Sequence, residues 1–199
     1  MILNFRYSQF KRVFDIFFSL IIFIFLLPII ILSCILLAIN LRENPIFIQK
    51  RPGFREKVFF LLKLKTMKSI NLNSNLIYDE DRITNFTNII RRLRIDEFLQ
   101  LLNVIKGDMS FVGPRPLLLE YLPLYNNEQK LRHSVLPGIT GLAQINGSEM
   151  LEFEKRLDLD VKYVKSYSFL QDIKIILLTI IYVLKNFKNK KDYDSIPKM

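Results

Sequence analysis

Ile16-Phe-Phe-Ser-Leu-Ile-Ile-Phe-Ile-Phe-Leu-Leu-Pro28-Ile-Ile-Ile-Leu-Ser-Cys34-Ile-Leu-Leu-Ala-Ile39 is a run of 24 residues without a charge, and how it meets a bilayer decides the fold. Arg6, Lys11, Arg12 and Asp15 precede it, and Asn40-Leu-Arg42-Glu43-Asn44-Pro45 follows. A cleaved signal peptide has a shorter apolar core and a small-residue cleavage site, so this segment is expected to be retained. As one straight helix it would reach about 36 Å, enough for a hydrocarbon core of roughly 30 Å. The charges argue otherwise. Three basic residues precede the run and the other 26 follow it, and basic flanks favour the cytoplasmic side. Two ends on one side require a turn inside the membrane. Pro28, near the midpoint, lacks an amide N–H and crowds the preceding turn, which makes it the place for a break. Each arm, about 18 Å long, would enter only part of the way. A proline-kinked helix that simply spans is the competing reading. Lys11, Arg12 and Asp15 are expected at the interface, with Asp15 bonding back to a basic neighbour.

The chain has 199 residues, half of them hydrophobic, which is the size of one cored domain plus an appendage. The reading divides it into an anchor at 1–40, a catalytic domain at 41–187 and a polar basic tail at 188–199. A net charge of +10 calls for an anionic partner: lipid headgroups, a phosphorylated substrate or nucleic acid. The single cysteine, Cys34, excludes an intrachain disulfide. No zinc spacing, Ser-His-Asp set, Walker loop or nucleic-acid motif is present.

Residues 45–68 read as two extended stretches around a Pro52-Gly53 turn. Lys63 and Lys65 alternate with apolar residues, so a strand would point both to one face. Apolar Ile90, Leu93, Phe98, Leu101, Leu102 and Ile105 suggest a helix from Thr87 to Lys106, ended by Gly107. On it lie Asp96 and Glu97, with Arg92 and Arg94 one turn before them; on an isolated helix these would be no more than surface ion pairs. Arg115 follows in Gly113-Pro114-Arg115-Pro116. His133 is the only histidine, and a solitary one is more often structural than catalytic. The stretch Pro137-Gly138-Ile-Thr140-Gly141-Leu-Ala-Gln144 is a glycine-punctuated loop with backbone donors able to face a phosphate. Leu151–Val164 has a charged helical pattern. Ile173–Leu184 is apolar, too short to span, and followed by lysines, as an interfacial helix would be. The fold expected is α+β, mostly helical, with a re-entrant anchor and amphipathic interfacial helices.

Taken in order, Lys11-Arg12-Val-Phe-Asp15, the proline-broken segment, Gln49-Lys50-Arg51-Pro52-Gly53, Lys63-Leu-Lys65-Thr66-Met67, Asp96-Glu97, Asn103-Val-Ile-Lys106-Gly107-Asp108-Met-Ser110-Phe-Val-Gly113-Pro114-Arg115-Pro116 and Pro137-Gly138-Ile-Thr140-Gly141 resemble the small monotopic phosphoglycosyl transferases of the bacterial sugar transferase family. The likeness is close to the enzymes that start N-linked glycan assembly in campylobacters. It implies a re-entrant anchor at the cytoplasmic face of a bacterial inner membrane. It also implies that Asp96 attacks the β-phosphate of a UDP-sugar, releases UMP and holds the phosphosugar until undecaprenyl phosphate accepts it. Mg²⁺ near Asp96 and Glu97 is implied, because a diphosphate must be neutralised before a carboxylate approaches. Glu97 would hold that ion or manage a proton. Arg115 would grip phosphate, Lys63, Lys65 and Arg94 would add positive potential, and Gly138, Gly141 and Gln144 would line the substrate. Leu142 and Ser148 stand where the family often has Trp and Arg, so sugar recognition transfers least. Di-N-acetylbacillosamine and a simple N-acetylhexosamine are both admissible. A basic membrane-anchored binding module and an anchored nucleic-acid binder are the alternatives, and the sequence leaves oligomeric state open.

Overall fold

A computed structural model describes residues 5–70, 79–147 and 151–188. Ser148 and nearly all of the basic tail lie outside them. Helix α1, Phe5–Leu41, is followed by an antiparallel hairpin of β1, Ile46–Pro52, and β2, Val58–Leu64. Then come α2, Asp79–Arg82, α3, Asn85–Arg92, and α4, Gln100–Lys106. Strand β3, Ser110–Val112, pairs in parallel with β4, Gly138–Thr140, and the chain closes with α5, Leu142–Ile145, α6, Phe153–Lys165, and α7, Phe169–Lys188. The described part is mostly helical with two small sheets, as expected for α+β.

Helix α1 runs through Pro28 without leaving helical geometry, so the expected break is not there. Proline removes one hydrogen bond, and a long apolar helix that is supported along its length tolerates that loss. The support is visible. Lys11, Asp15, Ser19, Ile30, Ser33, Leu37 and Leu41 are buried, with Phe23 and Leu26 partly so, at steps of three and four that form a single stripe. The helix therefore lies along the body instead of standing clear of it. Its remaining faces stay apolar and exposed, Phe25 at 82%. Among the described residues this is the one helix long and apolar enough to cross a membrane.

Both ends of α1 are tied to the same body. Lys11 pairs with Asp172 of α7, and Arg12 donates to the carbonyls of Val104 and Ile105 at 2.6 and 2.9 Å, where a cation suits the C-terminus of α4. At the other end Thr84 donates to Asn40 at 2.8 Å, and Glu43 pairs with Lys65. Lys11, at 6% exposure, and Asp15, at 2%, thus face protein, and Asp15 lies 4.0 Å from Lys11, one of the basic neighbours it was expected to meet. The main core joins Ile30, Leu37 and Leu41 of α1 to Leu64, Ile90 and Leu99, so the anchor is part of the domain's own interior.

The expected helix from Thr87 to Lys106 is broken. Arg94 adopts a left-handed conformation, φ 56°, and Ile95–Glu97 form a tight turn between α3 and α4. The apolar period slips by five residues between Leu93 and Phe98. In a continuous helix Ile90 and Leu99, both in the core, would face opposite sides, and the kink at Arg94 lets them meet. Helix α7 begins earlier than its apolar run and turns Asp172 and Ile175 inward. Leu170, Leu177, Ile181 and Leu184 stay exposed and uncovered.

Candidate active site

The broken helix puts Asp96 and Glu97 in the tight turn, at the mouth of α4 and beside β2. Asn103 fixes that neighbourhood: it is 1% exposed, accepts from the Leu62 amide at 3.0 Å and donates to the Phe60 carbonyl at 2.7 Å. Its amide group thereby locks β2 against α4 and brings Lys63 within reach of the turn.

Glu97 is buried, and its Oε1 meets Arg115 Nη2 at 2.9 Å, Lys63 Nζ at 3.2 Å and Arg94 Nη1 at 3.6 Å. Burial would raise the pKa of this carboxyl, but the charges of Arg115, Lys63 and Arg94 outweigh it and hold it well below the usual carboxylate range. Glu97 is thus favoured in its ionised form and gathers three cations around one oxygen. Lys63 is itself pushed down by burial, against the pull of Glu97.

Asp96 has the opposite environment. Its Oδ1 is buried without a hydrogen-bond partner. Burial, then the negative charge of Glu97, push it up to about 6, against the opposing charges of Lys63, Arg94 and Arg91. Two neighbouring carboxylates with environments that drive them apart are the arrangement that divides roles at a reaction centre. An unpaired carboxylate oxygen of raised basicity is a nucleophile in waiting.

The loop that carries Arg115 is held by its backbone. The Gly113 amide donates to Thr140 O at 2.9 Å, the Gly138 amide to Pro114 O at 3.0 Å, and Arg132 Nη2 to Arg115 O at 2.6 Å. A Cβ at Gly138 would come within 2.1 Å of the Gly113 amide nitrogen, and one at Gly141 within 2.2 Å of the Gly113 carbonyl oxygen. These glycines therefore permit close backbone packing, and the Gly138 donor, expected to face a phosphate, is already spent. Lys65 is also elsewhere: it bonds Glu43 and Ser69 Oγ, because β2 ends at Leu64 and the strand alternation stops with it.

Arg94, Glu97, Arg115 and Gln144 share a cavity of about 250 Å³ with Ile22 and Leu26 of α1 and Thr179, Tyr182 and Val183 of α7. Both polar atoms of the Gln144 side chain are buried without partners. Pro28, Lys11, Arg12 and Asp15 do not line it; the last three brace α1.

Sequence reasoning missed four contributors. Arg91 acts on Asp96 across the kink, which a continuous helix would not allow. Arg51 is pushed down to about 10 by burial and by the adjacent charge of Arg115, so a second guanidinium flanks the clamp. Arg132, 2% exposed, bonds Asp160 at 2.7 Å and Tyr125 Oη at 3.1 Å while holding the Arg115 carbonyl. Asn103 is the fourth. All four stood in recognisable stretches, but the partners of Arg51, Arg132 and Asn103 are distant in sequence, and that of Arg91 lies across the kink. His133 is buried with Nδ1 at 3.2 Å from Gly53 O, a brace for the hairpin turn.

A profile described as bacterial sugar transferase matches residues 6–186. An uncharacterized sugar transferase of Bacillus subtilis, EpsL, is 46% identical over 175 residues, covering 87% of this chain and 87% of that protein. The UDP-glucose:undecaprenyl-phosphate glucose-1-phosphate transferase of Escherichia coli is 39% identical over 197 residues, 92% of this chain and 41% of its own length. The undecaprenyl-phosphate glucose phosphotransferase of Komagataeibacter xylinus is 37% identical over 189 residues, 85% of this chain and 35% of its length. The chain thus spans most of the first relative and well under half of the other two.

Proposed function

This chain belongs to the bacterial sugar transferase family and is a transferase, and from that premise we propose that it moves a sugar 1-phosphate from a UDP-sugar to undecaprenyl phosphate. The observation that carries this reading is the unpartnered, raised carboxyl of Asp96 beside a Glu97 that is surrounded by cations and lines a cavity walled by apolar helices. An Asp96 oxygen attacks the β-phosphorus of the donor. The bond to the bridging oxygen breaks, and UMP leaves with the electron pair. An oxygen of undecaprenyl phosphate then attacks the phosphorus of the aspartyl adduct and restores the carboxylate. The product is a lipid-linked sugar, the starting point of glycoconjugate assembly, with protein glycosylation among its uses. Membership of a transferase family leaves no place for the binding-module and nucleic-acid readings.

Arg115, with Arg51 and Lys63 near, offers planar and point charges to the donor's phosphates. Mg²⁺ fits as cofactor: Asp96 has a free buried oxygen, and Glu97 stands beside it. Among the described residues no group of three ligating side chains exists, so substrate phosphates and water would complete the shell. Such an ion would offset diphosphate charge during the displacement.

For the donor, a di-N-acetylated bacillosamine or an N-acetylhexosamine is supported by Gln144, whose free carboxamide pairs both ways with an acetamido group. The E. coli and Komagataeibacter relatives are named for glucose, which sets the comparison. Purified protein with undecaprenyl phosphate and Mg²⁺, screened against a panel of UDP-sugars, is expected to release UMP most readily with an N-acetylated donor and to stop in EDTA. Silence across the panel would end the transferase scheme; preference for UDP-glucose would end the donor assignment.

The reading also assigns the protein to the cytoplasmic face of a bacterial inner membrane with both ends of α1 on that side; because α1 does not turn at Pro28, it would lie along the interface instead of entering the bilayer and returning. Both ends of α1 are fastened to one body, and its contact stripe runs unbroken from Lys11 to Leu41. A crossing helix would drag that body into the bilayer. Reporters fused at residues 1 and 199 are expected in the same compartment, and opposite compartments reject the topology.

A further inference from the structure

The hairpin of β1 and β2 has two faces with different surroundings. Phe59 and Leu61 point inward onto Val104 and Met109, and Lys63 on the same face reaches Glu97 at 3.2 Å. The residues between them alternate to the outer face, together with their cross-strand partners Ile46, Ile48, Lys50 and Pro52. At one end of that face Leu64 joins Leu37 and Leu41 of α1 in the core, with Leu62 packed against them. Beyond this point it is bare. Ile46, Ile48, Val58 and Phe60 are all exposed, as is Phe54 at the turn. A contiguous apolar patch rimmed by polar groups marks an interaction surface. Here the rim is cationic: Lys50 stands over the Phe60 ring at 6.0 Å, Arg55 over the Phe54 ring at 5.1 Å, and Lys57 is exposed beside them. Glu56 is the one acidic residue from Ile46 to Leu64. A second copy docked face to face would set these cations against their equivalents. An anionic lipid surface meets them with opposite charge and takes the apolar side chains at its acyl boundary. The patch also abuts α1, the helix with the long apolar surface.

We propose that the outer face of this hairpin docks on the headgroup layer of an anionic membrane, with Ile48, Val58 and Phe60 at the acyl boundary and Lys50, Arg55 and Lys57 on lipid phosphates. The proposal goes beyond the transfer reaction and does not depend on it. Its consequence is positional. The face turned from the lipid carries Lys63, so a single sheet layer separates the membrane from Glu97 and sets the height of the catalytic turn above it.

The chain contains no tryptophan, so one introduced indole reports its own surroundings. Phe60→Trp and Ile48→Trp on the hairpin, and Phe25→Trp on the bare side of α1, are each made in the full chain. Each is reconstituted in nanodiscs of phosphatidylcholine and phosphatidylglycerol, with or without bromine on the acyl chains. Both hairpin reporters are expected to lose at least about half of their emission to brominated lipid, as an aromatic side chain at the acyl boundary does. They should lose less in discs of phosphatidylcholine alone and at high salt. Either hairpin position suffices if the other variant does not fold. Quenching at Phe25→Trp but at neither hairpin position overturns the proposal. Blue-shifted hairpin emission without quenching gives this face to a second copy and overturns it as well. Quenching that ignores lipid charge and salt overturns the anionic assignment. Quenching on the hairpin but not at Phe25→Trp upholds the hairpin contact and rejects the one assigned to α1, and a signal absent from all three positions overturns both.

Discussion

Asp96→Asn abolishes turnover and makes the protein more stable. The loss of UMP release should reach three orders of magnitude or more, since the amide cannot form the ester that divides the displacement into two steps. The gain follows from the same burial. The Asp96 carboxyl rises from 3.8 to about 6 in the fold, so its ionised form is disfavoured by at most about 3 kcal/mol at neutral pH. A folded value above the unfolded one means that protonation favours the native state. That stabilisation is complete below 3.8 and is lost as pH rises through about 6. Asparagine removes this dependence and the charge, so the melting temperature at pH 7 should climb by several degrees. In the wild type the burst rate should rise with pH through about 6 and then level, with no second limb from Glu97, which its cations keep ionised. Wild-type-like bursts from Asp96→Asn would place the nucleophile elsewhere, and a melting temperature that drops would refute the cost of burying this charge.

Much of this site was legible before its geometry was known. The adjacent acids, the proline-locked arginine and the uncharged run of α1 are local features, and the structure brings Glu97 of the acids to 2.9 Å from that arginine. What could not be read was where the chain bends. The five-residue gap between Leu93 and Phe98 was present in the letters, but choosing a left-handed residue to absorb it needs the core that Ile90, Leu99 and Leu64 build with α1. Lys65 failed for a related reason: alternation places side chains only while a strand continues, and β2 stops one residue short of it. Gly138 and Gly141 looked like a phosphate cradle because glycine signals proximity of something, and here that something is the Gly113 backbone. The support provided by Asn103 and Arg132 depends on pairings 41 to 43 and 17 to 28 residues apart, which no local pattern encodes. Pro28 is the reverse case. Its chemistry argued for a break, but a stripe of buried residues on both sides of it holds α1 helical.

Arg115→Ala should reduce kcat/KM for the donor by roughly 10²- to 10³-fold, the cost of removing one well-placed group that stabilises phosphate charge in a partly buried site. Two effects add. The donor loses a guanidinium able to grip two phosphate oxygens at once, and Glu97 loses the closest of its three cations, at 2.9 Å, leaving Lys63 at 3.2 Å and Arg94 at 3.6 Å. Glu97 then turns more of its negative charge on Asp96 and on the incoming diphosphate. The fold should survive, because the loop is held by Gly113, Pro114 and the Arg115 carbonyl, none of which needs the side chain. Arg115→Lys tells the clamp from simple charge. Lysine restores the positive charge but not the planar fork, so it should recover Glu97 pairing and stability while regaining less than about a tenth of the lost kcat/KM. Measured bursts across donor concentration should show KM raised and the limiting rate lowered together. A lysine variant as active as wild type would mean that any cation suffices at this position, and the bidentate grip would have to be given up.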